Sequence, residues 1–577
     1  MTTAVLIFTF SPVQSFIAEA RRAADLFVGS TILSELAKAA AQAIGVNNLV
    51  YPASLNSDVP NVIVARVPAG NARSVATQAE QALRSRWNRI AESARSKLAH
   101  WGFADDAFNS IWKRQTDHLW EVYWAAAEET AGYAEAYERA RAALDAAKRS
   151  RFFDRCDEPG IKDTLSGQRE ALHPAGQASY SAVRGFWQRI AQYPRVGPSR
   201  LRPEGRERLD AIGATKRFCD LADEQQFPSV STVAALDFIE RAKAKALAQL
   251  HAYRDAVEKL LGSYSYRSRQ DTDWPFDGDL LFEEGLTKDR LEESYGLTNP
   301  DAQALADART ALKALHKAAD GRPSAYYALL VLDGDGMGKR IGECLKKSDP
   351  PAAHRQLSQS LVDFAGRTQG IFQDAPGCLI YNGGDDVLAF LPLGWALEKA
   401  EALARAFTAV AAGAPVAGTI SAGIAFSHHQ HPLDAALRAA RAAESAAKRV
   451  NGKAAVCITA LKRSGEQVTA ATRWDDLAAL KSLVAGMQSG ELASRFVTDA
   501  VLTLEAIPAG QPAMLKAELR RQARRHGAEA WVKSGQADQL ADQLADWAGR
   551  LPDRIDDLRR WLGIARFMVR ESQEEAA

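Results

Sequence analysis

The sequence predicts an α+β fold with two ferredoxin-like βαββαβ domains, a helical region between them and a helical domain after them. Three observations carry this. Apolar runs of strand length recur in the same order in the two halves of the 577-residue chain. Stretches rich in Ala, Arg and Glu follow the hairpins and fill the space between the halves. The chain is also too long for one hydrophobic core, since single cores stop growing at roughly 300 residues.

The first half opens with Ala4-Val5-Leu6-Ile7-Phe8-Thr9-Phe10, an unbroken apolar run that reads as a buried strand. Ser11 and Pro12 follow as N-cap and first-turn proline, so a helix is expected over 13–26. Gly29 and Ser30 are expected to break it, with a second helix over 31–44. Leu49-Val50-Tyr51 and Val62-Ile63-Val64-Ala65-Arg66-Val67-Pro68 read as paired strands joined by a loop through Pro60. A long helix to about His100 and a strand at 119–124 complete the unit.

The same order returns later. Tyr326-Tyr327-Ala328-Leu329-Leu330-Val331-Leu332 is the opening strand, and Leu379-Ile380-Tyr381 with Val387-Leu388-Ala389-Phe390-Leu391-Pro392 repeats the hairpin. A helix follows, and 419–426 parallels 120–124. Both halves therefore read as ferredoxin-like palm domains. The expected domains are a first palm over 1–130, a helical middle domain over 131–262 and a helical or loop connector over 263–322. A second palm over 323–466 and a C-terminal helical domain over 467–577 follow.

The chemistry is concentrated in the second half. Its opening strand runs straight into Asp333, then into Gly334-Asp335-Gly336-Met337-Gly338 and a helix start. The Asp333/Asp335 spacing resembles a calcium loop, but Met337 and Cys344 fall where oxygen ligands are required, which excludes it. The second hairpin turns through Asn382-Gly383-Gly384-Asp385-Asp386, with glycines where positive φ is needed. Adjacent carboxylates repel each other; they suit a turn where a cation sits between them and a ligand, or a solvated surface turn. A strand-end carboxylate beside such a hairpin is the layout of a palm-type nucleotidyl transferase or cyclase. Magnesium held by one or two carboxylates plus substrate phosphates fits it. The backbone amides of Gly334 to Gly338 are candidates for cradling phosphates. The first half lacks the carboxylates, so it can at most bind and position. The helix over 433–449 carries Glu444 and ends near Lys448, which reads either as a dipole-complementing cation or as a phosphate-neutralising one.

The rest of the chain is less specific. With 72 basic and 71 acidic residues, net charge predicts no nucleic-acid binding, and any such surface must be local. Cys156, Cys219, Cys344, Cys378 and Cys457 are scattered, which argues against a disulfide framework. No leader or bilayer-spanning run is read, so a cytoplasmic, membrane-free protein is expected. Residues 131–149 and 233–261 read as long helices, 271–285 as a loop whose acids form turns, and the chain after 465 as helical throughout. His428, His429 and His431 read as an exposed turn, with adjacent histidines on opposite faces. The basic run Arg520-Arg521-Gln522-Ala523-Arg524-Arg525-His526 reads as a solvated helix face, with RNA or partner contact as the alternative.

With both palms in view, the chain resembles the large polymerase/cyclase-like subunit of type III CRISPR RNA-guided effector complexes, of the Cmr (III-B) type. The resemblance rests on Phe10-Ser11-Pro12-Val13-Gln14-Ser15-Phe16-Ile17 with Arg21 and Asp25, on Phe227-Pro228-Ser229, and on 332–338 and 382–386. It rests further on Ser421-Ala422-Gly423-Ile424 and Lys462-Arg463-Ser464-Gly465. It implies two palms facing each other and synthesis of cyclic oligoadenylates from ATP when the complex senses target RNA. Its partners would be the other complex subunits, CRISPR RNA and target RNA. On this reading Asp333, Asp385 and Asp386 are catalytic and hold two divalent ions, Mg2+ or Mn2+. Gly334, Asp335, Gly336, Met337, Gly338, Gly383, Gly384, Ser421 and Lys448 bind the nucleotide, and Gln14 and Phe16 of the first palm place a second one. Because the two nucleotides sit on modules joined by a long helical region, the lone chain is expected to bind ATP yet make little product. The chain departs from its relatives in three ways. It has no His-Asp pair and starts its first palm at residue 4, so the HD nuclease domain is expected to be missing. Asp163, Ser166, Asp210 and Gly213 stand where relatives carry zinc cysteines, so no structural zinc is expected. Ser11 replaces the usual glycine. A non-catalytic scaffold and a stand-alone diguanylate-type cyclase are the rival readings.

Overall fold

The computed structural model describes residues 2–572 except 151–157, 199, 225–226, 265–270, 374–375, 509–510 and 552. In the first palm, β1 (Thr3–Ser11), β2 (Leu49–Tyr51), β3 (Val62–Pro68) and β4 (Glu121–Glu128) form an antiparallel sheet in the order β2-β3-β1-β4. That is the expected βαββαβ order. Helices α1 (Ala23–Ile44) and α2 (Ala72–His100) bury one face of the sheet. Helix α3 (Tyr133–Arg149) buries the other through Tyr133, Ala136, Tyr137 and Ala140.

The local expectations need correction here. Ser11 does not cap a helix: it stays in the sheet opposite Glu121, and the first helix spans only Gln14–Ala18. Gly29 and Ser30 do not break the next one. Both are buried inside α1, and the bare Gly29 lets Lys216 and Phe16 pack close. An unforeseen helix, Asp106–Thr116, precedes β4.

The second palm repeats the plan. β5 (Tyr326–Gly334), β6 (Cys378–Gly383), β7 (Asp386–Pro392) and β8 (Ile420–His428) pair in the order β6-β7-β5-β8. The sheet is extended by β9 (Ala455–Leu461), parallel to β8, and β10 (Gln467–Arg473), antiparallel to β9. The chain after 465 is therefore not helical throughout, and the palm runs past the expected boundary at 466. Its helices are α4 (Met337–Cys344), α5 (Pro350–Gln373), α6 (Ala396–Ala412) and α7 (Leu433–Ala447). Every residue of β8 is buried, because α5, α6 and the C-terminal helices cover one face and α7 with the helices of 230–319 cover the other. The internal repeat extends to irregularities: both edge strands shift register at the same place, between Leu49 and Tyr51 and between Leu379 and Tyr381.

The middle of the chain is not one unit. Helix α3 belongs to the first sheet, and apolar residues of 171–219 join the first palm's core. The helices Val230–Lys245 and Leu247–Leu261, interrupted at Ala246, join the second palm's core instead. The expected boundaries at 131 and 262 therefore cut through packed faces. Nor are the palms held apart by a long connector. Ile341 and Leu345 of α4 pack into the cluster under the first sheet with Val50, Val64 and Tyr137. The Ala53 amide donates to Ser358 Oγ at 2.8 Å, and the Asn382 amide to Asp58 at 3.0 Å.

Asp163, Ser166, Asp210 and Gly213, expected to stand at zinc positions, are engaged in local hydrogen bonds. Asp163 accepts from the Leu165 and Ser166 amides at 2.7 Å each and from Ser166 Oγ at 2.6 Å. Asp210 caps the helix Ala211–Phe218 by accepting from the Gly213 amide, and Arg169 bridges Asp210 to Glu19. The acids of 271–285 are turn and cap groups as read: Asp277 accepts from the Asp279 amide, and Tyr295 donates to Asp279.

Two surface expectations change. Arg520, Arg521 and Arg524 are ion-paired with Asp542, Glu518 and Asp538, so most of the basic run is spent within the C-terminal helices. His428 and His429 are not an exposed turn. His428 is buried, and its ring stacks on His429 at 4.8 Å, which stacks in turn on Phe282 at 4.3 Å. Burial lowers the pKa of both, to about 4 and about 3. No disulfide joins the described cysteines, and Cys156 lies outside the described residues. No described helix is long and apolar enough to cross a membrane.

Candidate active site

Asp333 lies one residue from the end of β5, opposite Ser421 of β8. Gly384 and Asp385 form the turn between β6 and β7, with Gly384 at φ 74°. The two segments meet tightly. A Cβ added to Gly334 would stand 2.8 Å from both Asp385 Cβ and Asp385 Oδ2, so only glycine lets the hairpin carboxylate reach the strand end. Asp386 begins β7 beside it and is exposed.

Helix α7 presents Arg441, Glu444 and Lys448 to these carboxylates, at spacings that share one face. Lys448, which caps α7, forms an ion pair with Asp333 and lies 2.9 Å from Glu444 Oε1. The helix is fixed there because Gly423 of β8 leaves no room for a side chain: its Cβ would be 2.1 Å from the Glu444 backbone nitrogen.

The electrostatics are those of an anion-rich cleft. Burial raises the pKa of Asp385, against the pull of Arg340. Asp386 is raised too: its carboxyl is desolvated among the hairpin atoms although the residue as a whole is exposed, and the charges of Asp385 and Glu444 raise it further, opposed by Arg441. Glu444 is raised by burial and by Asp335. The first palm reaches the same place: Gly384 sits with its Cβ position 3.1 Å from the Tyr51 hydroxyl. Burial and the nearby Asp385 hold the Tyr51 phenol protonated, with its pKa well above the ordinary range.

Not every residue read from the sequence stands at this opening. Asp335 is turned inward, accepting from Thr419 Oγ1 at 2.7 Å, Ser421 Oγ at 2.9 Å and the Ala454 amide at 3.1 Å. Ser421 is fully buried and committed to Asp335, so both fasten β5, β8 and the start of β9 and leave no group for a nucleotide. Met337 is half-buried and accepts from Arg340. Gly336 and Gly338 are exposed, Gly334 and Gly383 buried. Phe16 is 1% exposed and packs among Trp87 and Trp120, so it is a core residue. Gln14 is exposed on the same short helix, which packs on α1. Sequence reasoning missed Tyr51, Arg340 and Arg441. The repeat did pair Tyr51 with Tyr381, which places it at a hairpin strand end.

A divalent ion fits the donor chemistry in part. Among the described residues no group of three His, Cys, Asp or Glu side chains is gathered tightly enough to hold a metal. Asp333 faces Lys448 and Asp386 faces outward, so the expected three-carboxylate set is not preassembled. Two hard oxygen donors beside uncompensated negative charge do suit Mg2+, which takes few carboxylates and completes its shell with phosphates and water.

A cavity of about 1170 Å³ lies elsewhere, between the start of α1, the middle region and the outer face of α7. It is lined by none of Asp333, Asp385 or Asp386, and arginines such as Arg22 and Arg217 are spent on Glu207 and Asp25.

Comparison with known proteins bears on the fold that carries these residues. Residues 326–457 match the family described as Cas10/Cmr2, second palm domain, and residues 5–59 match the CRISPR-associated protein Cmr2, N-terminal family. The CRISPR system Cmr subunit Cmr2 of Pyrococcus furiosus is 33% identical over 288 residues, 44% of this chain and 32% of that protein. The match thus spans about a third of the relative's length. Among solved structures, a type III-B Cmr-beta chain in the apo state aligns with TM-score 0.64 and 12% identity, covering 91% of this chain and 77% of that one. A Cmr-beta chain from the complex bound to cognate target RNA aligns with TM-score 0.64 and 12% identity, covering 92% and 79%. These two show a shared fold. The chain is thus similar to the second palm of Cas10/Cmr2 over 326–457, to the N-terminal part of Cmr2 over 5–59, and to a Cmr2 protein over 44% of its length.

Proposed function

We infer that this chain is the palm-domain subunit of an RNA-guided type III-B effector complex and converts ATP into cyclic oligoadenylates when the complex pairs with target RNA. The observation that carries the reading is the contact of the Asp385 carboxylate with the end of β5, beside Asp333 and under the face of α7 that bears Glu444 and Lys448. In the reaction a ribose 3′-hydroxyl attacks the α-phosphorus of a second ATP, its proton passes to solvent, a P–O ester bond forms and pyrophosphate leaves. Divalent ions held by Asp333 and Asp385, with Asp386 beside them, would supply activation of the hydroxyl and neutralise the leaving group. The chain's own residues do the rest. Gly334 and Gly384 permit the hairpin to sit against β5. Arg340 holds positive charge behind Asp385. Lys448 balances Asp333 and is placed to transfer to phosphate oxygens when a nucleotide arrives.

Direct packing of the palms supports control through their relative position. Tyr51 and Asp58 of the first palm touch the hairpin at Gly384 and Asn382, so a small displacement of one palm moves the other's carboxylates. Target RNA would act by favouring the aligned arrangement, to the extent that it binds that arrangement better. The test is product formation from ATP, and from GTP, by the assembled complex with matched, mismatched and absent target RNA. The reading expects ATP conversion with matched RNA alone. Equal rates under all conditions, or use of GTP by the lone chain, would overturn it.

A further inference from the structure

The open side of the site is the Gly-rich turn at the start of α4. Arg340 makes the first hydrogen bond of that helix, to the Gly336 carbonyl, so the amides of Met337, Gly338 and Lys339 have no acceptor within it. A nucleoside triphosphate bound with its α-phosphate at the carboxylates carries its remaining phosphates toward these amides. Such a polyanion needs a cation there. Of the second palm's cations close by, Lys448 is held by Asp333 and Glu444 and the buried Arg340 by the Val416 carbonyl and Met337 Sδ, while Lys339 stands exposed on the turn itself.

The first palm supplies another. Arg141, on α3, has its Nη2 4.0 Å from the Cβ position of Gly338, so the guanidinium overhangs the turn. It is exposed, and its side chain hydrogen-bonds to the Tyr137 hydroxyl. Its position is not an accident of a loose side chain. One turn earlier on α3, Tyr137 is buried and packs edge-on against His354 of α5 at 5.3 Å. Ile341 and Leu345 of α4 pack into the same cluster as Tyr137 and Leu144. The element bearing the arginine and the element bearing the turn are thereby held as one piece.

We propose that Arg141 of the first palm binds the β- and γ-phosphates of the nucleotide whose α-phosphate lies at Asp333 and Asp385 of the second. The site is then composite, and the first palm, though without carboxylates, contributes directly to substrate binding. The proposal rests on the nucleotide reading above. Arg suits the role through its planar fork, which matches phosphate oxygens in pairs.

The test is binding of ATP and of adenosine, each with Mg2+, to the full-length chain by calorimetry, for wild type, Arg141→Ala and Arg141→Lys. Loss of one charge-assisted contact predicts that Arg141→Ala weakens ATP at least about tenfold and leaves adenosine unchanged, with Lys restoring part of the loss. Equal ATP affinity in wild type and Arg141→Ala would overturn the proposal while leaving the nucleotide site standing. Equal loss for ATP and adenosine would make Arg141 structural. Failure of wild type to bind ATP would overturn the nucleotide reading and the proposal together.

Discussion

Asp385 and Asp386 carry more negative charge than their surroundings neutralise, and this has a measurable cost in the metal-free protein. Their folded pKa values are raised by burial and, for Asp386, by Asp385 and Glu444. A raised carboxylate pKa means that the folded state binds protons more tightly than the unfolded one. Stability therefore falls as pH rises from the ordinary carboxylate range through the raised values, and recovers on acidification. Asp386→Asn removes the repulsion, so chelator-treated variant protein is expected to melt higher than wild type at pH 8 and to show a flatter pH dependence by calorimetry. Wild type should gain more from added Mg2+ than the variant. At this scale Asp333, Asp385 and Asp386 stand out in the sequence as candidates because a strand end and a turn mark their positions, and the structure sets Asp385 against the end of β5 beside Asp333. Asp335, Ser421 and Phe16 were misread because alternation along a strand does not reveal which face neighbouring elements will seal. Asp335 is closed in by Thr419 and Ala454, which lie 84 and 119 residues away in the chain.

Two glycines let the elements meet. Gly334→Ala forces the hairpin off β5 and is expected to cost about 1–3 kcal/mol of stability and most nucleotide conversion. Gly423→Ala meets the backbone of α7, which cannot yield as a side-chain tip does, so a loss at the upper end of that range is expected in urea unfolding. The strands were legible from unbroken apolar runs, and the order of both sheets followed from the repeat. Helix ends were not. Gly29 and Ser30 look like a break, yet the small residues are there for close packing on Lys216 and Phe16. The hairpin of β9 and β10 escaped notice because the palm was read as ending at 466 with helix beyond, whereas Lys462-Arg463-Ser464-Gly465 is the turn that returns the chain to the sheet.

Across the molecule, the middle region is divided between the palms, and no sequence feature announces this. Apolar residues of 171–219 enter the core of the first palm and those of 230–261 the core of the second, so tertiary packing alone divides them. Arg169 joins Asp210 to Glu19, tying the region after α3 to the first palm. Arg169→Ala strands two carboxylates and is expected to destabilise the chain by about 3 kcal/mol in denaturant unfolding, with no recovery on adding zinc. The palms themselves pack through α4, Tyr51 and Asp58, which makes the hairpin carboxylates part of an interface. The central claim is that those carboxylates carry out ATP conversion. The most direct test compares wild type with Asp385→Asn, Asp386→Asn in the assembled complex, with ATP, Mg2+ and matched target RNA, reading products by mass spectrometry. The account predicts cyclic oligoadenylates and pyrophosphate from wild type and at least about a hundredfold less from the variant. Equal product from both would contradict it.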